Sequence, residues 1–159
     1  MSTLMRTLTI VTAVGAGAMG GVFFTFSAFV MPALARLPAP QGISAMQSIN
    51  ITAVRPVFMT ALFGTAALCV VLAVNAFRTW GDRRALLLLI GAAVYAVGVI
   101  VLTAAYHVPL NDSLATLDPA SPGAVATWND YVGHWTTWNH VRAGSGIVAS
   151  AAFILAARR

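Results

Sequence analysis

The sequence predicts an all-α fold: an integral membrane four-helix bundle, with a short interfacial helix after the first span and another leading into the fourth. Composition is the first reason. Hydrophobic residues make up 59% of the chain and charged residues 8%, with a mean hydropathy of +0.84, whereas a soluble domain carries about 25% charged residues. The second reason is where the charges stand. The chain has no Lys and no Glu, only nine Arg and four Asp, and most arginines bracket apolar runs, where they act as stop signals at a membrane edge. The third is length: 159 residues (1–159) suit one domain. The basic pI follows from this small set of arginines; no Lys/Arg stripe exists, so no nucleic-acid partner follows from it. Cys69, the single cysteine, lies inside an apolar run and excludes an intramolecular disulfide or a Cys-based metal cluster.

Each span can be justified in order. Arg6 and Arg36 enclose 29 uncharged residues, more than the roughly 20 that cross a bilayer. Ala16-Gly17-Ala18 resembles a signal cleavage site, but the apolar run continues to Ala35, so a retained first span (about 8–34) is expected. Gly17 and Gly21 form a G-x-x-x-G pair that lets another helix approach closely; a homo-oligomer is compatible with it. Pro32 should kink or end the helix near Met31. Between Arg36 and Arg55, two prolines and Gly42 mark a turn, after which Ile43, Met46, Ile49 and Ala53 recur at helical spacing, as in a helix lying in the interface. The second and third spans, 56–77 and 85–106, hold 22 residues each, about 33 Å as helix. The short W-G-D-R-R loop between them makes an antiparallel hairpin. The segment 107–142 is a long connection broken by Pro109, Pro119 and Pro122. Only 15 residues then separate Arg142 from Arg158, so the fourth span (about 138–157) must recruit Trp138, Asn139 and Arg142 into the membrane, or let Arg158 snorkel.

The arginines also predict orientation. With the N-terminus cytoplasmic, Arg6, Arg78, Arg83, Arg84, Arg158 and Arg159 fall inside, while Arg36, Arg55 and Arg142 fall outside. Six against three favours both termini cytoplasmic in the cell membrane.

The segment 128–142 reads W-N-D-Y-V-G-H-W-T-T-W-N-H-V-R. On a helix Trp128, Tyr131, Trp135, Trp138 and Arg142 share one stripe, with Asn139 beside it. Such a stripe is an interfacial aromatic belt or one wall of a pocket for a flat ligand. The predicted outer end gathers most aromatics, Phe24 and Phe58 among them, together with His107, Asn111, Asn139, Arg142 and Asn50. Aromatic walls with a few convergent polar groups are the usual form of a small-molecule site; a lopsided packing cluster with a polar rim is the alternative. Arg142 can also pair with Asp112 or Asp130 and tie the connection to the bundle. Asn111 fits a cap or turn, and Asn139 a bridge between helices. His107 is a candidate general base, because an imidazole can titrate near neutrality, or it is a hydrogen-bonded histidine at a helix end. A metal site of His107, His134 and His140 matches no known ligand spacing, and no metal is expected.

The motif H-V-P-L-N-D-S-L-A (107–115), followed by W-x-x-Y-V-x-x-W-T-x-W-N-H-V-R (128–142), resembles a family of small four-helix membrane proteins of unknown function that includes anthrone oxygenases. M-P-A-L (31–34) and Q-S-I-N (47–50) fit as well. The resemblance implies oxidation of an anthrone-type polyketide by dioxygen without a conventional cofactor. It carries Asn111, Trp138, Asn139 and Arg142 over as motif positions, whereas His107 as a base is this sequence's own suggestion. The expected partner besides the lipid bilayer is a small lipophilic aromatic substrate, walled by Phe24, Phe58, Trp128, Trp135 and Trp138. Asn111, Asn139 and Arg142 would orient its carbonyl and stabilise an enolate. His107, Asp112 or water would take the proton. A non-catalytic accessory or binding protein, and a haem- or copper-binding redox protein, are the other readings.

Overall fold

A computed structural model describes residues 2–158; Arg159, one of the six arginines counted for the cytoplasmic side, lies outside them. The described residues form five helices and no strand: α1 (Thr3–Ala35), α2 (Ala39–Ala53), α3 (Pro56–Arg78), α4 (Arg83–Ala115) and α5 (Ala124–Ala157). All but α2 are long and apolar enough to cross a membrane.

The helix ends follow local chemistry. Ser2 Oγ accepts the Met5 N–H at 3.3 Å and Asp82 Oδ1 the Ala85 N–H at 2.7 Å, capping α1 and α4. Pro56 opens α3 at a position where its missing N–H removes no hydrogen bond. Gly123 starts α5 with φ +88°, a conformation that favours glycine.

Pro32 and Pro109 do not end their helices. Each follows a stretch of π-helix, Phe26–Val30 in α1 and Thr103–His107 in α4, and the helix then continues. A proline ring clashes with the carbonyl four residues earlier. Those carbonyls belong to Ala28 and Ala105, both inside the widened π turn. The insertion takes up the clash, which a sequence-based break at Met31 or His107 overlooks. A further π stretch, Ala96–Val101, precedes the one in α4.

The connection expected at 107–142 is therefore mostly helix. The fourth span has no separate leading helix, because 124–157 is one uninterrupted helix of 34 residues. It needs no help to cross: 33 or 34 residues extend about 50 Å, against roughly 30 Å of hydrocarbon. α3, with 23 residues, reaches about 35 Å.

The four long helices pack in a ring, α1 against α5, α5 against α4, α4 against α3 and α3 against α1. Because α3 and α4 leave the same hairpin and α3 is ten residues shorter than α4 (23 against 33), three helices overtop the start of α3. The interfacial helix α2 fills that gap. Its predicted stripe is its inner face: Ile43 and Met46 are fully buried, with Ile49 packed beside them.

Two apolar clusters result. One runs through the bundle and includes Ala16, Met19, Phe23, Leu72, Tyr95 and Phe153. The other joins α2 to the upper parts of α1, α4 and α5 through Met31, Ile43, Met46, Leu114, Trp128, Tyr131 and Trp135. Small residues set the closest crossing. A Cβ on Gly146 of α5 would stand 2.7 Å from Gly20 Cα and 3.0 Å from Ala16 O. The predicted pair works differently on its two members: Gly17 passes Ser150, while Gly21 faces open space.

Candidate functional site

A cavity of about 210 Å³ lies between the two clusters, and α1 to α5 all contribute to it. Phe23 and Phe26 come from α1, Met46, Ile49 and Asn50 from α2, and Phe58, Met59 and Leu62 from α3. Thr103, His107 and Asn111 come from α4, Trp135 and Arg142 from α5. Its polar groups are buried or half-buried. The three exposed residues of its lining are Val22, Val54 and Val108, one from each of three segments, so its rim is apolar.

Arg142 is the group that most needs explanation. Only 5% of it is exposed, and bringing a charge out of water costs several kcal/mol unless partners replace the hydration. The expected aspartate partners do not supply them. Its Nε and Nη2 both donate to Asn139 Oδ1, at 3.1 and 2.7 Å, and Nη1 donates to Thr103 Oγ1 at 3.3 Å. The guanidinium lies over the Phe23 ring, 4.3 Å from its centroid, and 5.2 Å from that of Trp135, so the π faces add cation–π attraction. No carboxylate lines this cavity. Of the five guanidinium N–H groups, three are used, and the charge is left without an anion.

Asn139, fully buried, is committed on both sides. Its Nδ2 donates to Phe23 O and to Ser27 Oγ, each at 2.7 Å, while Oδ1 takes the two bonds from Arg142. An amide offers two donor hydrogens and an acceptor with two lone pairs, so none remains for a substrate. Asn139 holds Arg142 in place and fastens α5 to α1 where the π stretch begins. For Asn139 to touch a substrate carbonyl, as the sequence suggests, one of these bonds would have to give way.

His107 is 1% exposed. Its Nδ1 meets the Leu102 carbonyl at 3.3 Å, and a carbonyl can only accept, so Nδ1 carries the hydrogen. Nε2 therefore presents a lone pair, and this buried nitrogen has no hydrogen-bond partner. The bond spans five residues because the chain is π-helical there. The ring also stands edge-on to Trp135, centroids 5.4 Å apart.

Asn111 sits inside a helix, neither cap nor turn. Its Oδ1 accepts from Tyr131 Oη at 2.9 Å and Trp135 Nε1 at 3.1 Å, which leaves its NH2 as the donor for the cavity it lines. This contact, with Gln47, fastens the upper helices together, the task the sequence offered to Arg142.

The aromatic expectations divide. Phe58 and Trp135 line the cavity. Phe24, 57% exposed, faces outward, and its neighbour Phe23 is the wall. Trp138, 41% exposed, packs on Tyr106 outside the cavity. Trp128 is buried behind it, stacked on Tyr131 and seated against Gly42 of α2. Phe23 was legible from phase: Ala16, Gly20, Phe23 and Ser27 advance by three and four along one face of α1.

The sequence model of one known family, described as anthrone oxygenase, matches residues 56–152. This is well over half of the chain. The protein belongs to the anthrone oxygenase family. No curated protein and no solved structure matches it. The matched segment of this anthrone oxygenase family member contains Arg142, its partners Thr103, Trp135 and Asn139, and the cavity residues His107 and Asn111. Phe23, Phe26 and Asn50, which complete the cavity, come from α1 and α2 ahead of it. Among the described residues no three of His, Cys, Asp or Glu are grouped to hold a metal ion. His134 is turned instead towards Tyr106 Oη at 3.3 Å.

Proposed function

We propose that the cavity binds a fused-ring phenolic with an acidic methylene and oxidises that methylene to a ketone with dioxygen. The observation that carries this reading is a pair of unsatisfied groups in one cavity, the uncompensated Arg142 cation and the bare Nε2 of His107. One attracts an anion and the other accepts the proton whose loss makes the anion. Phe23, Phe58 and Trp135 offer ring faces for a planar guest. A 150 Å³ apolar cavity takes one benzene, so about 210 Å³ with an open side suits a longer aromatic edge entering through the rim.

The chemistry balances without a further reactant. His107 Nε2 takes one methylene proton, and the negative charge spreads onto the substrate oxygen, where Arg142 and the Asn111 NH2 stabilise it. The electron-rich carbanion transfers an electron to dioxygen and the two radicals join, forming a C–O bond. The imidazolium returns its proton to the peroxide, leaving a hydroperoxide. Loss of the second methylene hydrogen with cleavage of the O–O bond then yields the ketone and water. The methylene gives up four electrons, and dioxygen accepts four. This route draws on no cofactor. In this reading the protein stands in the cell membrane with both termini cytoplasmic and the cavity at the outer end.

The test is oxygen uptake with an anthrone by purified protein of known metal content. Turnover independent of metal, lost in His107→Phe and Arg142→Leu while anthraquinone still binds, is expected. A stoichiometric transition metal or haem that turnover requires would replace the enolate route with redox-metal chemistry. Binding without oxygen uptake would favour an accessory or carrier role.

A further inference from the structure

Helix α2 brings to the cavity a donor that the reaction above leaves unused. Gln47 Nε2 donates to the carbonyls of Leu114 and Leu117, at 2.9 and 3.0 Å, at the exposed end of α4. The Leu114 carbonyl also accepts the Leu117 N–H at 3.1 Å, in the turn just past the end of α4, so the amide clasps that turn and fixes α2 in position against α4. Asn50 is three residues on, close to the same face of α2, and lines the cavity. Its Nδ2 is buried and makes no hydrogen bond of ordinary length, with the Tyr131 hydroxyl as its polar neighbour. A buried donor left unpaired is destabilising, and Gln47 holds this one where relaxation towards water is restricted. In the same cavity His107 Nε2 is an acceptor without a donor.

We propose that Asn50 is a specificity-determining residue whose amide donates to a phenolic oxygen of the substrate, separate from the oxygen that faces Arg142. The assignment rests on the reading of the cavity as a site for fused-ring phenolics. It gives the two orphaned atoms complementary tasks, since His107 meets the acidic hydrogen and Asn50 reads a ring substituent. It also divides the site along the chain. The groups that handle charge and proton lie within the family-matched residues 56–152, and Asn50 lies before them. Chemistry shared with the family is thereby joined to a selectivity set by α2. A site built to hydrogen-bond a substrate oxygen discriminates against an analogue that lacks it far more strongly than an apolar pocket does.

The experiment uses equilibrium binding, so it does not depend on turnover. Detergent-purified protein is titrated with dihydroxyanthraquinone and with unsubstituted anthraquinone, following quenching of tryptophan fluorescence. The wild-type protein should prefer the hydroxylated probe by about tenfold or more. Asn50→Leu and Asn50→Ala should lose that preference while still binding anthraquinone. Removal of an unpaired buried amide should leave the melting temperature of Asn50→Leu unchanged or raised, whereas a structural asparagine would lower it. Retention of the preference in both variants overturns the assignment, as does a wild-type protein that binds neither probe. Loss of preference with no oxygen uptake on any anthrone sinks the oxygenase reading and keeps Asn50. Oxygen uptake with an unchanged preference does the reverse.

Discussion

Asn139 is placed so that each half of its amide answers a different need. The NH2 meets a main-chain carbonyl and a hydroxyl of α1, and the oxygen receives the guanidinium fork. Asn139→Leu therefore strands groups on both helices. Single hydrogen bonds between membrane helices are worth about 0.6–2 kcal/mol, and bonds to a charged group about 1.5–3 kcal/mol, so a loss of about 3 kcal/mol is expected in detergent melts. Asn139→Asp separates stability from function. The carboxylate keeps the fork and supplies Arg142 with an anion, so the melting temperature should fall less than in Asn139→Leu. Turnover should nevertheless fall at least as far, because the cation is then neutralised before the substrate arrives. Equal turnover in Asn139→Asp and wild type would remove Arg142 from the chemistry. Residue identities at this scale were legible, since Asn139, Arg142, His107 and Asn111 stand out among so few polar side chains. Their partners were not, because Phe23 O and Leu102 O are main-chain atoms close to π stretches, and side-chain spacing does not register those.

At the scale of helices, the site depends on how closely α1 and α5 cross. Apolar burial gives little drive for association in lipid, so packing of small residues matters more there. A methyl on Gly146 would meet the Gly20 backbone and Ala16 O within 3.0 Å, and backbone cannot rotate aside. Gly146→Ala should cost about 1–3 kcal/mol by overpacking. It should also reduce substrate binding, because Asn139 lies two turns earlier on the same helix and would lose its reach to α1. A melting temperature within a degree or so of wild type, with binding intact, would show that the crossing relaxes without consequence. The four long apolar helices and the short helix α2 were readable from hydropathy and spacing. The two prolines misled for a physical reason: whether a proline ends a helix or is absorbed depends on neighbouring helices holding the widened turn, and one strand of sequence carries no trace of them. Phe24 and Phe23 differ only in phase, and depth along the span was a poor guide to it.

For the molecule as a whole, the arginine asymmetry predicts that a reporter active only in the cytoplasm gives signal at the C-terminus and none when inserted near Ala120. The reverse pattern would move the cavity to the cytoplasmic end. The extension of α1, α4 and α5 beyond the start of α3 also makes α2 a wall of the cavity, through Met46, Ile49, Asn50 and Ala53. Gln47→Leu should therefore loosen α2 first, raising amide hydrogen exchange in Ala39–Ala53 while the bundle below keeps its protection. Uniform loss of protection would mean that α2 and the bundle unfold as one unit.

Val22, Val54 and Val108 form the exposed part of the cavity lining. A port facing water would be expected to carry groups that hydrate, and this rim carries methyls. On the proposed reading the guest would arrive from the acyl chains, and its relevant concentration would be a mole fraction in the bilayer rather than a molarity in the buffer. Kinetics should follow surface dilution: adding inert phospholipid at fixed protein and substrate lowers the rate, while adding buffer at a fixed lipid-to-substrate ratio leaves turnover per protein unchanged. Val54→Arg, which brings a hydrated cation to the rim, should raise the apparent KM and leave kcat nearly constant.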